Sequence, residues 1–159
     1  MRTEKTPAIQ SLLTPLTEMV LVDSSVWIEG FRKKGRIEVK RGLDGLLEAF
    51  EAQWCSPVRL EVLGGSKINE RKHLSYYFSL IPYRQCRESD WENARSLAWR
   101  LREHGHSLPW MDILIAAIAI QDDVRLYTVD KHFEIIAQHS SLFLYKPGYG
   151  GMFKPENEQ

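Results

Sequence analysis

Four acidic side chains stand where carboxylates could share a divalent metal ion: Asp23, Glu61, Asp112 and Asp130. Asp23 follows the apolar run 19–22, and Asp130 follows the run 126–129. Each has a simple structural interpretation, because an Asp between a strand and a helix commonly caps the helix. Both would nevertheless lie at the carboxyl ends of strands in one parallel sheet, where ligands bind. The two carboxylates could therefore converge.

Asp112 gives the sharper signal, since it precedes the almost continuously apolar segment 113–120. The helix dipole favours an acid in the first turn by about 0.3–1 kcal/mol, but this does not explain why so buried a helix begins with one. Glu61 is the acid within the apolar segment 57–63. A solvated Glu paired with Arg59 is the commoner arrangement for such a residue, so Glu61 by itself decides little.

Several carboxylates in one cleft repel each other, and their burial without a partner is costly. A hard divalent cation compensates, and Mg²⁺ or Mn²⁺ prefers oxygen ligands. Such an ion binds a phosphate oxygen and lowers the pKa of a bound water. The acidic residues therefore predict a metal site suited to phosphodiester hydrolysis.

The elements that would position these acids alternate between strand and helix. Short apolar runs predict strands at 19–22, 53–56, 80–83, 125–129 and 142–145. Helical spacing or capping residues predict helices from 24, around Leu43–Leu46–Leu47–Phe50, and over 57–63, 67–78, 89–105, 109–120 and 131–139. This order predicts an α/β fold, with a mainly parallel sheet and helices on both faces.

The ends of the chain differ from its centre. Residues 1–18 predict an irregular N-terminal extension, 19–146 the compact domain, and 147–159 an irregular tail rich in Gly and Pro. Cys55 and Cys86 are too few for a disulfide framework and lack zinc-site spacing. The longest apolar run is too short for a membrane span, and the N-terminus lacks the pattern of a secretory signal. We therefore expect a cytoplasmic protein.

The charge balance shows no overall preference for nucleic acid, because Lys+Arg and Asp+Glu are each 21. RNA would have to be held by a local basic patch, for which the candidates are Arg32, Lys33, Lys34 and Arg36, with Lys40 and Arg41 nearby. This run could contact phosphates near the cleft, or it could be a solvated loop. His132 could approach the site beside Asp130, although a surface position is the favoured interpretation.

Four segments in this order, 22–29, 56–65, 112–117 and 128–133, resemble the PIN domain, and specifically the toxin nucleases of the VapBC type. Each segment is weak evidence, but the ordered set is specific, and the resemblance runs from about 19 to 144. It implies a three-layer α/β/α sandwich and a Mg²⁺- or Mn²⁺-dependent endoribonuclease. Asp23, Glu61, Asp112 and Asp130 match the family's acidic residues.

The resemblance also implies supporting residues and partners. Thr128 matches a hydroxyl residue beside the site, and Ser24 is a second supporting hydroxyl. Trp110 departs from the pattern, because many relatives carry another acid there, and this departure implies a different metal affinity or preference. The implied partners are an RNA substrate, a cognate antitoxin that blocks the acidic cleft, and a second copy of the chain. Trp91, Trp99 and the cluster 76–78 are candidates for the dimer surface, although packing in the core is the favoured interpretation for most of these side chains.

Three alternatives remain distinct from a toxin ribonuclease. The first is a catalytically silent PIN-like module that binds RNA or protein, against which the presence of all four acids argues. A phosphatase of the haloacid dehalogenase type needs a second Asp two residues after the first, where Ser25 stands. A nucleotide-binding fold needs glycines that the segment 23–25 lacks.

Overall fold

A four-stranded parallel sheet forms the centre of the fold. The computed structural model describes residues 19–148 and the backbone of 152 and 153, so the predicted extension 1–18 lies outside the described residues. The strands are β1 (Val20–Val22), β2 (Ala52–Cys55), β3 (Tyr83–Arg84) and β4 (Arg125–Tyr127), in the order β3-β2-β1-β4. All three residues of β1 are fully buried. This is the burial expected of a central parallel strand that is covered on both faces.

Helices cover both faces of the sheet, which gives the three-layer α/β/α sandwich predicted from the sequence. They are α1 (Ser24–Phe31), α2 (Ile37–Glu48), α3 (Ser56–Gly64), α4 (Arg71–Ser79), α5 (Glu88–Glu103), α6 (Trp110–Gln121) and α7 (His132–Gln138). Helix α6 is buried from Asp112 to Ala119, as its apolar sequence predicts. Helix α5 ends just before Gly105, whose φ of 83° is the left-handed conformation typical of a helix stop.

The strand order places a topological switch beside β1. From β1 the chain adds β2 and then β3 on one side, and it returns through α5 and α6 to place β4 on the other side. In open α/β sheets, ligands bind at the carboxyl ends of the strands next to such a switch. Asp23 follows β1 and Asp130 lies three residues beyond β4, so both acids are at this edge.

Several boundaries differ from those predicted. Helix α2 stops at Glu48, and Phe50 is not part of its apolar stripe because its φ is 58° and it is 86% exposed. Strand β4 ends at Tyr127 rather than Val129, since the Val129 N–H donates to the Ser25 hydroxyl instead of pairing in the sheet.

The C-terminal part of the chain also differs from its prediction. The strand predicted at 142–145 is reduced to one parallel bridge between Leu126 and Leu144. The tail was predicted to be irregular, but β5 (Pro147–Gly148) pairs antiparallel with β6 (Met152–Phe153). In the part of the chain that the structure describes, no helix is long and apolar enough to span a bilayer.

Candidate metal centre

Asp23 lies at the base of the candidate site, where it caps α1 and is only 3% exposed. Its Oδ2 accepts hydrogen bonds from the Ser25 hydroxyl at 2.5 Å, the Ser25 N–H at 3.3 Å and the Thr128 hydroxyl at 3.0 Å. Burial raises the pKa of Asp23, although these hydrogen bonds act in the opposite direction. The capping interpretation is therefore correct, and it coexists with an unusually buried carboxylate at the switch point.

The same hydroxyl groups connect the ends of the two central strands. The Thr128 Oγ1 atom accepts the Asp130 N–H at 3.0 Å, and the Ser25 Oγ atom accepts the Val129 N–H at 3.2 Å. The backbone N–H of Asp23 donates to the Tyr127 carbonyl at 2.9 Å. These bonds hold the segment after β4 against the start of α1, which places Asp130 on the same side as Asp23.

Glu61 projects from α3 toward Asp23 and is joined to it through Ser24. The Ser24 hydroxyl donates to Glu61 Oε1 at 3.1 Å and lies 3.4 Å from Asp23 Oδ1. Burial raises the pKa of Glu61, and the negative charges of Asp23, Asp112 and Asp130 raise it further. Glu61 remains accessible to solvent, but its carboxylate belongs to the acidic cluster and does not pair with Arg59 in the described structure.

Asp112 and Asp130 complete the cluster, and His132 joins them. Asp112 is in the first turn of α6 and is 8% exposed. The Nδ1 atom of His132 lies 2.8 Å from Asp112 Oδ2 and 3.3 Å from Asp130 Oδ1. Burial raises the pKa of Asp112; the His132 hydrogen bond opposes this rise, whereas the charges of Asp130 and Asp23 add to it.

Sequence reasoning underestimated His132. The favoured interpretation was a surface histidine, and its side chain is indeed 42% exposed, but its Nδ1 atom also contacts both carboxylates. Its position two residues after Asp130, at the first residue of α7, was the available signal. The Asp130 Oδ1 atom also accepts the His132 N–H at 2.9 Å, but the N-cap residue of α7 is Lys131, so Asp130 lies one residue before the predicted cap position.

The donor set fits a divalent cation. Asp112, Asp130 and His132 offer ligand atoms within 4.8 Å of one another, a grouping found nowhere else in the described residues. Neighbouring carboxylates with raised pKa values are stabilised in their charged form when a cation sits between them. Such an ion supplies an activated water and a positive charge for a phosphate oxygen.

The basic run lies at the other end of α1 from the acids. Arg32 follows the last residue of this eight-residue helix and Asp23 precedes the first, which places them about 13 Å apart along the helix axis. Arg32 and Arg36 both pair with Glu29, at 3.4 and 3.7 Å. Lys33 and Lys34 are exposed. RNA contact by these four residues stays a prediction, and it requires a substrate that extends along α1.

The aromatic candidates for a contact surface separate into two groups. Phe78 is 1% exposed and belongs to the core, whereas Tyr76 is 68% exposed. Trp91, Trp99 and Trp110 are exposed and line an apolar groove of about 490 Å³ between α5 and α6. Trp110 lies beneath the Arg102 guanidinium, 5.6 Å from the ring centroid.

The fold and the site together define an α/β domain with an acidic, oxygen-rich cluster at its topological switch point. The family model described as the PIN domain matches residues 20–138. The chain belongs to the PIN domain family.

The chain matches curated relatives over nearly the whole length of those relatives. VapC ribonuclease Mb1587 of Mycobacterium bovis is 31% identical over 131 residues, which cover 78% of this chain and 96% of the relative. Ribonuclease VapC11 of Mycobacterium tuberculosis matches with the same identity and coverage.

Solved structures share the fold. FitAcB from Neisseria gonorrhoeae superimposes with a TM-score of 0.65 at 19% identity, covering 81% of this chain and 98% of that one. VapBC2 from Rickettsia felis, bound to a DNA fragment from its promoter, gives a TM-score of 0.65 at 20% identity, covering 79% and 96%. These likenesses establish the arrangement of the sheet and helices.

Proposed function

We propose that this chain is the toxin of a type II toxin–antitoxin system, a divalent-metal-dependent endoribonuclease that hydrolyses RNA phosphodiester bonds. The observation that carries the proposal is the convergence of Asp23, Glu61, Asp112 and Asp130 at one edge of the sheet. Relatives named as ribonucleases, at 31% identity over most of the chain, support the same activity.

In this proposal the four carboxylates act together as metal ligands and catalytic residues. Asp23, Asp112 and Asp130 bind Mg²⁺ or Mn²⁺, and Glu61 completes the oxygen-rich environment. Thr128 and Ser24 support the site, since their hydroxyl groups hold Asp23 and Glu61 in place. A bound ion would offset the burial and the mutual repulsion that raise the pKa values of Glu61 and Asp112.

The direct test is cleavage of end-labelled RNA by the purified protein with Mg²⁺, with Mn²⁺ and with EDTA. We expect cleavage with either metal and none in EDTA. Asp23→Asn and Asp112→Asn should abolish cleavage and retain the fold, as checked by circular dichroism. Asp44→Asn, at an exposed acid of α2, is the matched control and should cleave normally. RNA binding without metal-dependent cleavage in the wild type would favour the silent RNA-binding module instead.

We propose that the antitoxin docks in a groove formed by three helices. Helices α1, α3 and α4 enclose about 620 Å³, lined in part by Ile28, Phe31, Val62 and Leu74. Ile28 and Phe31 are 41% and 44% exposed. Neither Asp23 nor Glu61 lines this groove, so an antitoxin segment bound there would have to extend beyond it to cover the acids.

A co-expression experiment tests the antitoxin. The product of the adjacent gene should co-purify with the chain and inhibit RNA cleavage. Ile28→Asp should weaken co-purification and restore cleavage in the presence of that protein, because it places a charge on the apolar wall of the groove. Unchanged co-purification would place the antitoxin on another surface.

Three further parts of the proposal concern assembly and location. We place the domain at residues 19–146 and the protein in the cytoplasm, where the free thiols of Cys55 and Cys86 would remain reduced. We also propose a homodimer, which the three exposed tryptophans of the α5–α6 groove support. Exposed apolar patches of this kind commonly mark protein interfaces.

A further inference from the structure

We propose that His132 supplies a nitrogen ligand to the metal ion, so that the centre is a mixed nitrogen and oxygen site rather than a purely carboxylate one. This inference rests on the proposed metal site and extends it. It begins from the placement of the imidazole. Nδ1 is the ring atom that faces both Asp112 and Asp130.

The separations around Nδ1 match those of neighbouring ligands on one ion. Octahedral ions with ligands at 2.0–2.1 Å place adjacent ligand atoms about 3 Å apart. Nδ1 lies 2.8 Å from Asp112 Oδ2 and 3.3 Å from Asp130 Oδ1. A cation among these three atoms would therefore need little movement of the side chains.

The backbone around His132 is held in place independently of any ion. The His132 N–H donates to Asp130 Oδ1 at 2.9 Å, and this fixes the entry into α7. The next residue, Phe133, is fully buried and anchors the helix in the core. The imidazole is thus presented to the acids by a rigid helix start rather than by a flexible loop.

A nitrogen ligand changes which metals the site prefers. Imidazole suits the later first-row transition metals, whereas Mg²⁺ prefers oxygen ligands and retains its waters. We expect the ratio of Co²⁺ affinity to Mg²⁺ affinity to be higher at this centre than at a site made of four carboxylates. Replacing the imidazole by an amide should reduce that preference.

The experiment uses the full chain and measures metal binding without reference to catalysis. Mn²⁺ bound to the wild type should show, by pulsed EPR, the modulation of a directly coordinated imidazole nitrogen. His132→Gln should lose this modulation, while His73→Gln, at an exposed position of α4, should keep it. By titration calorimetry, His132→Gln should raise the Kd for Co²⁺ about 10-fold or more and that for Mg²⁺ by much less.

The outcomes separate this inference from the proposed function. Suppose that Mn²⁺ binding is lost in Asp112→Asn, but the wild type shows no nitrogen coordination. This result would overturn the role of His132 and leave the metal site standing. Absence of Mn²⁺ binding in the wild type would overturn both. Circular dichroism checks that His132→Gln is folded, and His132→Asn provides a second variant if it is not.

Discussion

The Thr128 hydroxyl donates a hydrogen bond to the Asp23 carboxylate across 3.0 Å, joining residues that follow β4 and β1. The same oxygen accepts the Asp130 N–H at 3.0 Å, so one side chain connects two of the four acids. Asp23 is nearly inaccessible to solvent, and each hydrogen bond that it accepts therefore favours its charged form. Thr128 is in this way a structural determinant of the acidic centre.

Replacement of Thr128 by Val should weaken the metal site. The variant keeps the shape of the side chain and removes the hydroxyl, so the pKa of Asp23 should rise further and the Asp130 N–H should lose its acceptor. We expect a loss of about 1–3 kcal/mol in unfolding free energy and a Kd for Mn²⁺ raised about 10-fold or more. Urea unfolding and calorimetry measure the two effects. Thr128→Ser retains the hydroxyl and should behave nearly as the wild type; equal losses in both variants would contradict this role.

The metal-free protein should gain stability when Asp112 is neutralised, and the gain should depend on pH. The pKa of Asp112 is raised in the folded state, chiefly by burial. Because its pKa is raised, Asp112 contributes fully to folding stability below its unfolded pKa, about 3.9. This contribution to stability is lost as the pH rises through the pKa of the folded state. In EDTA, Asp112→Asn should therefore be more stable than the wild type at pH 7. This difference should disappear near pH 3, as measured by urea unfolding.

Added metal should reverse that order. A ligand that binds only the folded state stabilises it by about 2.7 kcal/mol at 100 times its Kd. We expect Mn²⁺ to raise the Tm of the wild type and to leave that of Asp112→Asn almost unchanged. An equal rise in both proteins would show that the ion binds elsewhere.

The buried ion pairs of Arg84 should be essential to stability. Arg84 is 5% exposed and donates to both Asp90 oxygens, at 2.7 and 2.9 Å, and to both Asp122 oxygens, at 2.7 and 3.0 Å. Arg84→Gln would leave the fully buried Asp90 without its cation, and we expect it to cost about 3–5 kcal/mol in urea unfolding. Arg32→Gln breaks an exposed pair with Glu29 and should cost no more than about 1 kcal/mol. Similar small losses in both would contradict the structural role of Arg84.

Trp99 tests the proposed dimer. It is 58% exposed in the α5–α6 groove. Trp99→Glu places a charge in this apolar surface, so the variant should elute as a monomer where the wild type is a dimer, measured by size exclusion with light scattering. Phe143→Glu changes an aromatic residue that is 61% exposed outside this groove and should leave the mass unchanged. A dimer that persists in Trp99→Glu would place the interface elsewhere.

The sequence alone predicted the alternation of strands and helices, and with it the sheet edge that carries Asp23 and Asp130. It also predicted that α6 is buried and begins with an acid at Asp112. These features depend on periodicity and on residues close together in the chain, so local physical chemistry suffices to predict them. The assignment of Glu61 needed the family resemblance, because one Glu in a short apolar helix has many possible environments.

Tertiary structure decided the partnerships between distant residues. The Ser24–Glu61 contact spans 37 positions and the Asp112–His132 contact spans 20, so both depend on how α3, α6 and α7 pack around the switch between β1 and β4. The structure also set the distance of the basic run from the acids, and it excluded Phe50 from the core through a left-handed backbone. No local pattern encodes these outcomes, because they follow from which helices meet at one edge of the sheet.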